Sequence, residues 1–170
     1  MRLALNILPI ALCCMLSACG DNIPVIQVDD PQAKIKENMI NANKVINQSE
    51  DTQLDEYISR HGWTMTKLDN GARIQILEPG SGAKIDYEDS VTVSYRLEAL
   101  NGTVFYEDNT ETFVLGRHQT TVGLDRALMG LNRGAHVRIA LPSSLGYGVV
   151  GDGDRVPARA VLIYDLNVMK

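Results

Sequence analysis

Residues 91–98 read Val-Thr-Val-Ser-Tyr-Arg-Leu-Glu. Apolar and polar positions alternate without a break, which is the period of a strand with one dry face and one wet face. Asn101-Gly102 follows at once, the strongest short hairpin signal. Val104-Phe105 begins the return strand, and Thr112-Phe113-Val114-Leu115 reads as another. A chain with this stretch must build an antiparallel sheet and find something to cover its apolar face.

More strands are legible on either side. Ile74 and Ile76 alternate with Arg73 and Gln75, and Pro79-Gly80-Ser81-Gly82 is a turn. Val137, Ile139 and Leu141 alternate up to Pro142, and Val161–Val168 is the last strand. A glycine-rich loop runs from Ser143 to Arg159. The cover is one short helix marked by Leu124, Leu128 and Leu131, with Thr121 as its N-cap and Gly134 as its stop. The fold class is therefore α+β, a curved antiparallel sheet wrapped over one short helix.

The N-terminal part follows other rules. Met1-Arg2 is a short positive start, and Leu3–Leu16 is almost wholly apolar, the pattern of an export signal. It ends in Leu16-Ser17-Ala18-Cys19, which looks like a bacterial lipobox with Cys19 as the lipidated residue. All three cysteines, Cys13, Cys14 and Cys19, lie here, so the rest of the chain has no thiol or disulfide chemistry. Acyl chains on Cys19 would anchor the protein to a membrane without a spanning helix. Asp21, two residues on, is an inner-membrane retention signal in some bacteria but not in all, so the choice of membrane stays open. The expected division is a signal peptide at 1–18, a tether at 19–29, a helical lead-in at 30–63 and the β-rich domain at 64–170.

Within the lead-in, Asp30-Pro31 starts one helix, with Ile35, Met39, Ala42 and Ile46 on a single stripe. A second helix is expected from about Glu50 to His61, with Leu54, Tyr57, Ile58 and His61 on one face. Gly62 would take the left-handed C′ position and Trp63 would pack back over the last turn. The lead-in serves either to pack or space the following domain or as a dimerisation arm.

The net charge of −5 argues against a nucleic-acid partner. A search for reactive groups fails. Ser143 and Ser144 lack a nucleophile-elbow pattern. His61, His118 and His136 are scattered and read as surface or capping residues. The acidic pairs Asp29-Asp30, Glu50-Asp51 and Glu107-Asp108 read as solvated. Gly146-Tyr147-Gly148 and Gly151-Asp152-Gly153-Asp154 precede no helix and lack a calcium-loop pattern, so neither phosphate nor Ca²⁺ is expected there. What remains is a set of aromatic residues: Phe105, Tyr106, Phe113, Tyr147 and Tyr164. Tyr147 between two glycines either anchors its loop to the core or lines a pocket with ring and hydroxyl.

The motifs, taken in order, resemble the FKBP-type peptidyl-prolyl cis-trans isomerases. They are Pro79–Gly82, Asp89–Tyr95, Asn101-Gly102-Thr103-Val104-Phe105, Phe113-Val114-Leu115-Gly116, Gly123-Leu124 through Gly134, Leu145–Gly148, Val156-Pro157 and Ala160–Leu166. The lead-in at 50–63 also looks like that of exported bacterial members. The resemblance implies an antiparallel half-barrel around one helix, with the pocket between them. It implies catalytic positions at Tyr95, Phe105, Tyr147 and Tyr164. Substrate-binding positions would be Tyr106, Thr121 (through its main chain), Leu124 and Val156. Neither metal nor cofactor is implied, and the partners would be proline-containing segments of exported clients.

Departures from the pattern point to an alternative, a peptide-binding module with little catalysis. Tyr106 stands where the family has an Asp that contacts substrate, a place within reach of Glu107 or Asp108. Glu111 stands where an aromatic wall is usual. Thr120-Thr121 replaces an apolar pair, Arg155 sits beside Val156, and Tyr164 adds a hydroxyl at the pocket floor.

Overall fold

The computed structural model describes residues 31–170. The expected signal peptide, Cys19 with its motif, the tether and the Asp30 cap lie outside the described residues. No helix among the described residues is long and apolar enough to cross a membrane.

The lead-in is one helix, α1 (Pro31–Arg60), not the expected two. No Gly or Pro interrupts residues 32–60, and Thr52 and Gln53 bond back one turn, to the Gln48 carbonyl and to Ser49, across the expected break. Its end is as expected. Gly62 is left-handed (φ 66°), and the N–H groups of Gly62 and Trp63 donate to the Ser59 and Ile58 carbonyls.

Six strands follow: β1 (Thr66–Lys67), β2 (Arg73–Glu78), β3 (Ser90–Ala99), β4 (Val104–Val114), β5 (His136–Leu141) and β6 (Leu162–Val168). They form one antiparallel sheet in the order β1-β2-β5-β6-β3-β4. The two expected strands after the hairpin are one continuous β4. It stays continuous because bulges absorb the mismatch. Tyr95 pairs with Asn109 but Leu97 with Tyr106, and Asp108 turns left-handed (φ 51°) to take up the extra residue. In the hairpin only Gly102 of the Asn-Gly pair is left-handed, and Ala99 N–H to Thr103 O closes a wider turn.

The short helix α2 (Val122–Leu128) covers the inner face, capped by Thr121, whose Oγ1 accepts from the Leu124 N–H. The expected stop at Gly134 is wrong. The helix ends at Leu128, because Gly130 turns left-handed and donates to Ile85 O while Ile85 N–H donates to Leu131 O. Leu131 still faces the core. That core holds Val91, Val93, Tyr95 and Leu97 with Val137, Ile139, Leu141, Leu162, Tyr164 and Leu166, packed on Leu124, Ala127 and Leu128.

The outer face takes the C-terminal half of α1. Leu54 and Tyr57 pack on Ala140, Val161 and Ile163, with Trp63 alongside. Arg138 lies 4.0 Å over the Trp63 ring. The Ile35, Met39 and Ala42 end of the expected stripe is exposed instead, as are Ile40 and Val45. The Glu50-Asp51 pair is not solvated as expected. Glu50 is buried, and Asp51 pairs with Lys67 and Arg73 at 2.9 and 2.8 Å.

Arg73 is the anchor of this docking, with a side chain only 2% exposed. Its donors reach the Asp55 carboxylate (2.8 and 3.0 Å), the Asp51 carboxylate (2.8 Å) and the Asp51 and Gly71 carbonyls (3.2 and 2.8 Å). Removing Arg73 would empty a buried position and lose five hydrogen bonds there, whereas an exposed ion pair contributes little. Arg73→Ala is therefore expected to lower unfolding stability by about 2–4 kcal/mol, against under about 1 kcal/mol for Lys67→Ala. Urea midpoints of the two variants at equal slope check this. Equal losses would show that Arg73 is no anchor.

Candidate functional site

The aromatic residues gather on the inner face of the sheet. Tyr95 on β3 and Tyr164 on β6 are buried floor residues, their rings 5.3 Å apart and edge-to-face. The strand register puts them there. Tyr95 pairs with Leu166 and Leu97 with Tyr164, so the two tyrosines are diagonal neighbours on one face. Leu124 from α2 and Val156 from the long loop belong to the same buried cluster, and Phe105, Tyr106 and Tyr147 pack against it half-buried. Thr121 is buried at the start of α2, three residues before Leu124. Seven of the eight residues singled out for the pocket thus share one cluster, and Thr121 caps the helix that carries Leu124. Floor residues are closed to solvent, and Phe105, Tyr106 and Tyr147 form the accessible wall.

The β4 bulge decides which side chains face inward. Before it Phe113, Glu111 and Asn109 oppose the inward residues Val91, Val93 and Tyr95. Past it the parity changes, and Tyr106 opposes the inward Leu97. The Tyr106 ring stands 6.5 Å from Tyr95, edge-to-face. Its hydroxyl donates to Asp152 Oδ2 at 2.6 Å, and the Arg155 guanidinium lies 5.1 Å from its ring.

Glu107 does not take the place of the family's Asp. Glu107 points to Arg96 at 3.1 Å. Besides Asp152, the carboxylate that meets a pocket residue is Glu111. The Tyr95 hydroxyl donates to Glu111 Oε1 at 2.7 Å, and Asn109 donates to both at 2.8 Å. Sequence reasoning counted Glu111 only as a missing aromatic, and Asn109 not at all. Their role depends on a register that a bulge shifts, so the sequence carries no local signal of it.

Asp152 was also unforeseen in its role. Its Oδ1 accepts from the N–H groups of Asp154, Arg155 and Val156 at 2.9, 2.9 and 2.8 Å. One carboxylate thus folds the loop that carries Val156 and ties it to Tyr106. The histidines behave as expected: His61 bonds the Tyr57 carbonyl (2.8 Å), His136 meets Asp165 (2.5 Å), and His118 is exposed.

The electrostatics keep the phenols neutral. Burial, then the Glu111 contact, pushes Tyr95 well above the usual phenol range. The Asp152 hydrogen bond, then burial, does the same for Tyr106. Burial, the largest cause in each case, raises Tyr147 and Tyr164. A neutral phenol is a donor with a dry ring attached, suited to hold a carbonyl beside an apolar group. Nothing here pairs a nucleophile with a base. A charged cavity of about 510 Å³ lined by Lys67, Asp69, Lys84, Asp86 and Arg126 includes none of the eight pocket residues.

Residues 82–169 match the family profile described as FKBP-type peptidyl-prolyl cis-trans isomerase. Over 104 residues the chain is 32% identical to an FK506-binding protein of Neisseria meningitidis, covering 59% of this chain and 95% of that one. It is 30% identical over 108 residues to FK506-binding protein 4 of Rhizopus delemar, covering 62% of this chain. The match spans only 28% of that protein's length. A crystal structure of a peptidyl-prolyl cis-trans isomerase from Pseudomonas syringae superposes with a TM-score of 0.62 at 25% identity, covering 75% of this chain and 93% of that one.

Burial would raise the Asp152 carboxyl, but the Tyr106 phenol and the three loop N–H groups outweigh it and hold it below the ordinary 3.8. A depressed folded-state value stabilises the fold above the ordinary value and loses that contribution as pH falls through the folded value. Wild type should therefore exceed Asp152→Asn in stability at neutral pH. The difference should shrink steadily below about pH 4. Urea midpoints of both proteins across pH 2–7 check this, and a pH-independent difference would sink it.

Proposed function

This chain belongs to the FKBP-type peptidyl-prolyl cis-trans isomerase family, and we propose that it accelerates X-Pro isomerisation in exported proteins while lipid-anchored through Cys19. The observation that carries the reading is the cluster itself, in which a half-buried Phe105–Tyr106–Tyr147 wall stands over a floor of Tyr95, Tyr164, Leu124 and Val156. The Leu16-Ser17-Ala18-Cys19 motif supports export to the cell envelope and the anchor.

The mechanism needs no covalent step. An X-Pro bond turns over a barrier of ~18–20 kcal/mol, taking tens of seconds unaided. At the top of the barrier the amide is twisted and has lost resonance, so it is less polar than the planar form. A dry aromatic pocket binds that form better. Phe105, Tyr164 and Val156 would hold the proline ring, and the Tyr147 hydroxyl and Thr121 N–H would fix the flanking carbonyls. Lowering the barrier by ~4 kcal/mol gives roughly a thousandfold acceleration.

A second reading is a binder on the same scaffold, with little catalysis. It is favoured by Tyr106, whose hydroxyl is already engaged by Asp152 and is not free for substrate. Both readings are separated by a client whose refolding is limited by proline isomerisation. Catalytic acceleration of the slow phase is expected, with about a tenfold loss in Tyr147→Phe, the cost of one hydrogen bond. Phe105→Ala should lose more. Stoichiometric suppression of aggregation without acceleration would establish the binder instead.

A further inference from the structure

Glu50 is the one carboxylate among the described residues that is buried, at 6% exposure. It sits two-thirds of the way along α1, on the outer side of the sheet, yet its two oxygens reach the loop that carries Tyr147. Oε2 accepts the Ser143 N–H at 2.8 Å, and Oε1 accepts the Ser143 hydroxyl at 2.6 Å. Ser143 opens a short 3₁₀ turn (Ser143–Leu145) and is preceded by Pro142, whose side chain has no group to cap it. Its N–H is thus an orphan donor at a turn start, where a carboxylate is the favourable partner.

Ser143 is in turn the hinge of the pocket wall. Its carbonyl accepts from the N–H of Gly146 at 3.1 Å and from that of Gly148 at 2.9 Å. These glycines flank Tyr147. Gly148 is left-handed (φ 62°), and a Cβ on Gly146 would come within 2.7 Å of Leu162. Glycine restricts its backbone less than any other residue, so the conformation of this segment rests on its hydrogen bonds, to the Ser143 carbonyl and, for Gly146, also to the Pro142 carbonyl at 3.2 Å. With Ser143 held from both its N–H and its hydroxyl, the Tyr147 segment is fixed from behind by α1.

We propose that Glu50 is a positioning residue for the isomerase pocket, setting the Tyr147 wall through Ser143. The inference rests on the isomerase reading for its effect on rate, but its geometric part does not. The lead-in helix thereby becomes part of the site without touching substrate.

The test compares Glu50→Ala, Glu50→Gln and Ile85→Val in the full chain. Gln keeps both contacts, with Oε1 taking the Ser143 N–H and Nε2 donating to its hydroxyl. Ile85→Val removes one buried methylene from the core, beside the charged cavity that shares no residue with the site. Amide exchange of Gly146 and Gly148 and the ring signals of Tyr147 are read by NMR, beside kcat/KM and thermal stability. For Glu50→Ala, faster exchange at both glycines is expected, with kcat/KM down ten- to a hundredfold, the range for a misplacement of about 1 Å. Glu50→Gln should stay close to wild type. Ile85→Val should lose stability but keep both exchange and rate. The proposal is overturned if Glu50→Ala leaves the two glycines protected. It is equally overturned if Ile85→Val lowers kcat/KM in the same proportion to its stability loss. An inactive wild type would refute the isomerase reading alone, and glycine exchange and the Tyr147 signals would then decide the positioning by themselves.

Discussion

Arg73 cannot be buried unless something brings it carboxylates, and only α1 does. Asp51 and Asp55 lie four residues apart, so they share one side of the helix and meet the guanidinium together. That fixes the rotation of α1 about its axis. Leu54 and Tyr57 must then face the sheet, where they cover Ala140 and Ile163. Glu50, one turn before Leu54, must face it too, and it arrives at Ser143. A buried ion pair of this kind adds little net stability over an apolar substitute. What it adds here is orientation, because a helix with so few apolar residues has no broad stripe of its own to choose a face.

The sheet therefore does two jobs through one set of strands. β6 is the clearest case. Ile163 points outward to α1, and Tyr164, the next residue, points inward to the floor of the pocket. A shift of one residue in its register would exchange the two and destroy both sides at once. β6 is held on both flanks by full ladders to β5 and β3, which makes such a slip costly. The pocket floor is thereby more rigid than its wall, whose Phe105, Tyr106 and Tyr147 come from a bulged edge strand and a loop.

Much of this was legible in the sequence, and the limit has a physical form. A strand with strict alternation, such as β3, was readable because period and burial coincide. Thr121 and Gly62 were readable because caps act within a few residues. The continuity of α1 was not, since a polar stretch looks like a break when only apolar spacing is followed. Glu50 and Ser143 lie 93 positions apart, and nothing local marks either as buried. Glu111 and Asn109 meet Tyr95 only because β4 bulges at Asp108, and a bulge moves every later side chain to the other face.

That bulge also bears on the departures from the family pattern. Where the resemblance places an acid after the motif Phe, this chain has Tyr106, and the simplest inference is a lost carboxylate. The geometry argues otherwise. Tyr95 has a carboxylate partner in Glu111, which β4, the strand that carries Tyr106, supplies at 2.7 Å. Tyr106 fills the vacated place with a ring and binds a carboxylate of its own, Asp152. Both acids are thus tied to phenols, and the phenols remain neutral donors. Chemistry that breaks no covalent bond asks only for apolar walls and a few fixed donors. Such a site tolerates exchange of its residue types as long as every buried polar group keeps a partner, and among the described residues no buried side-chain nitrogen or oxygen lacks one.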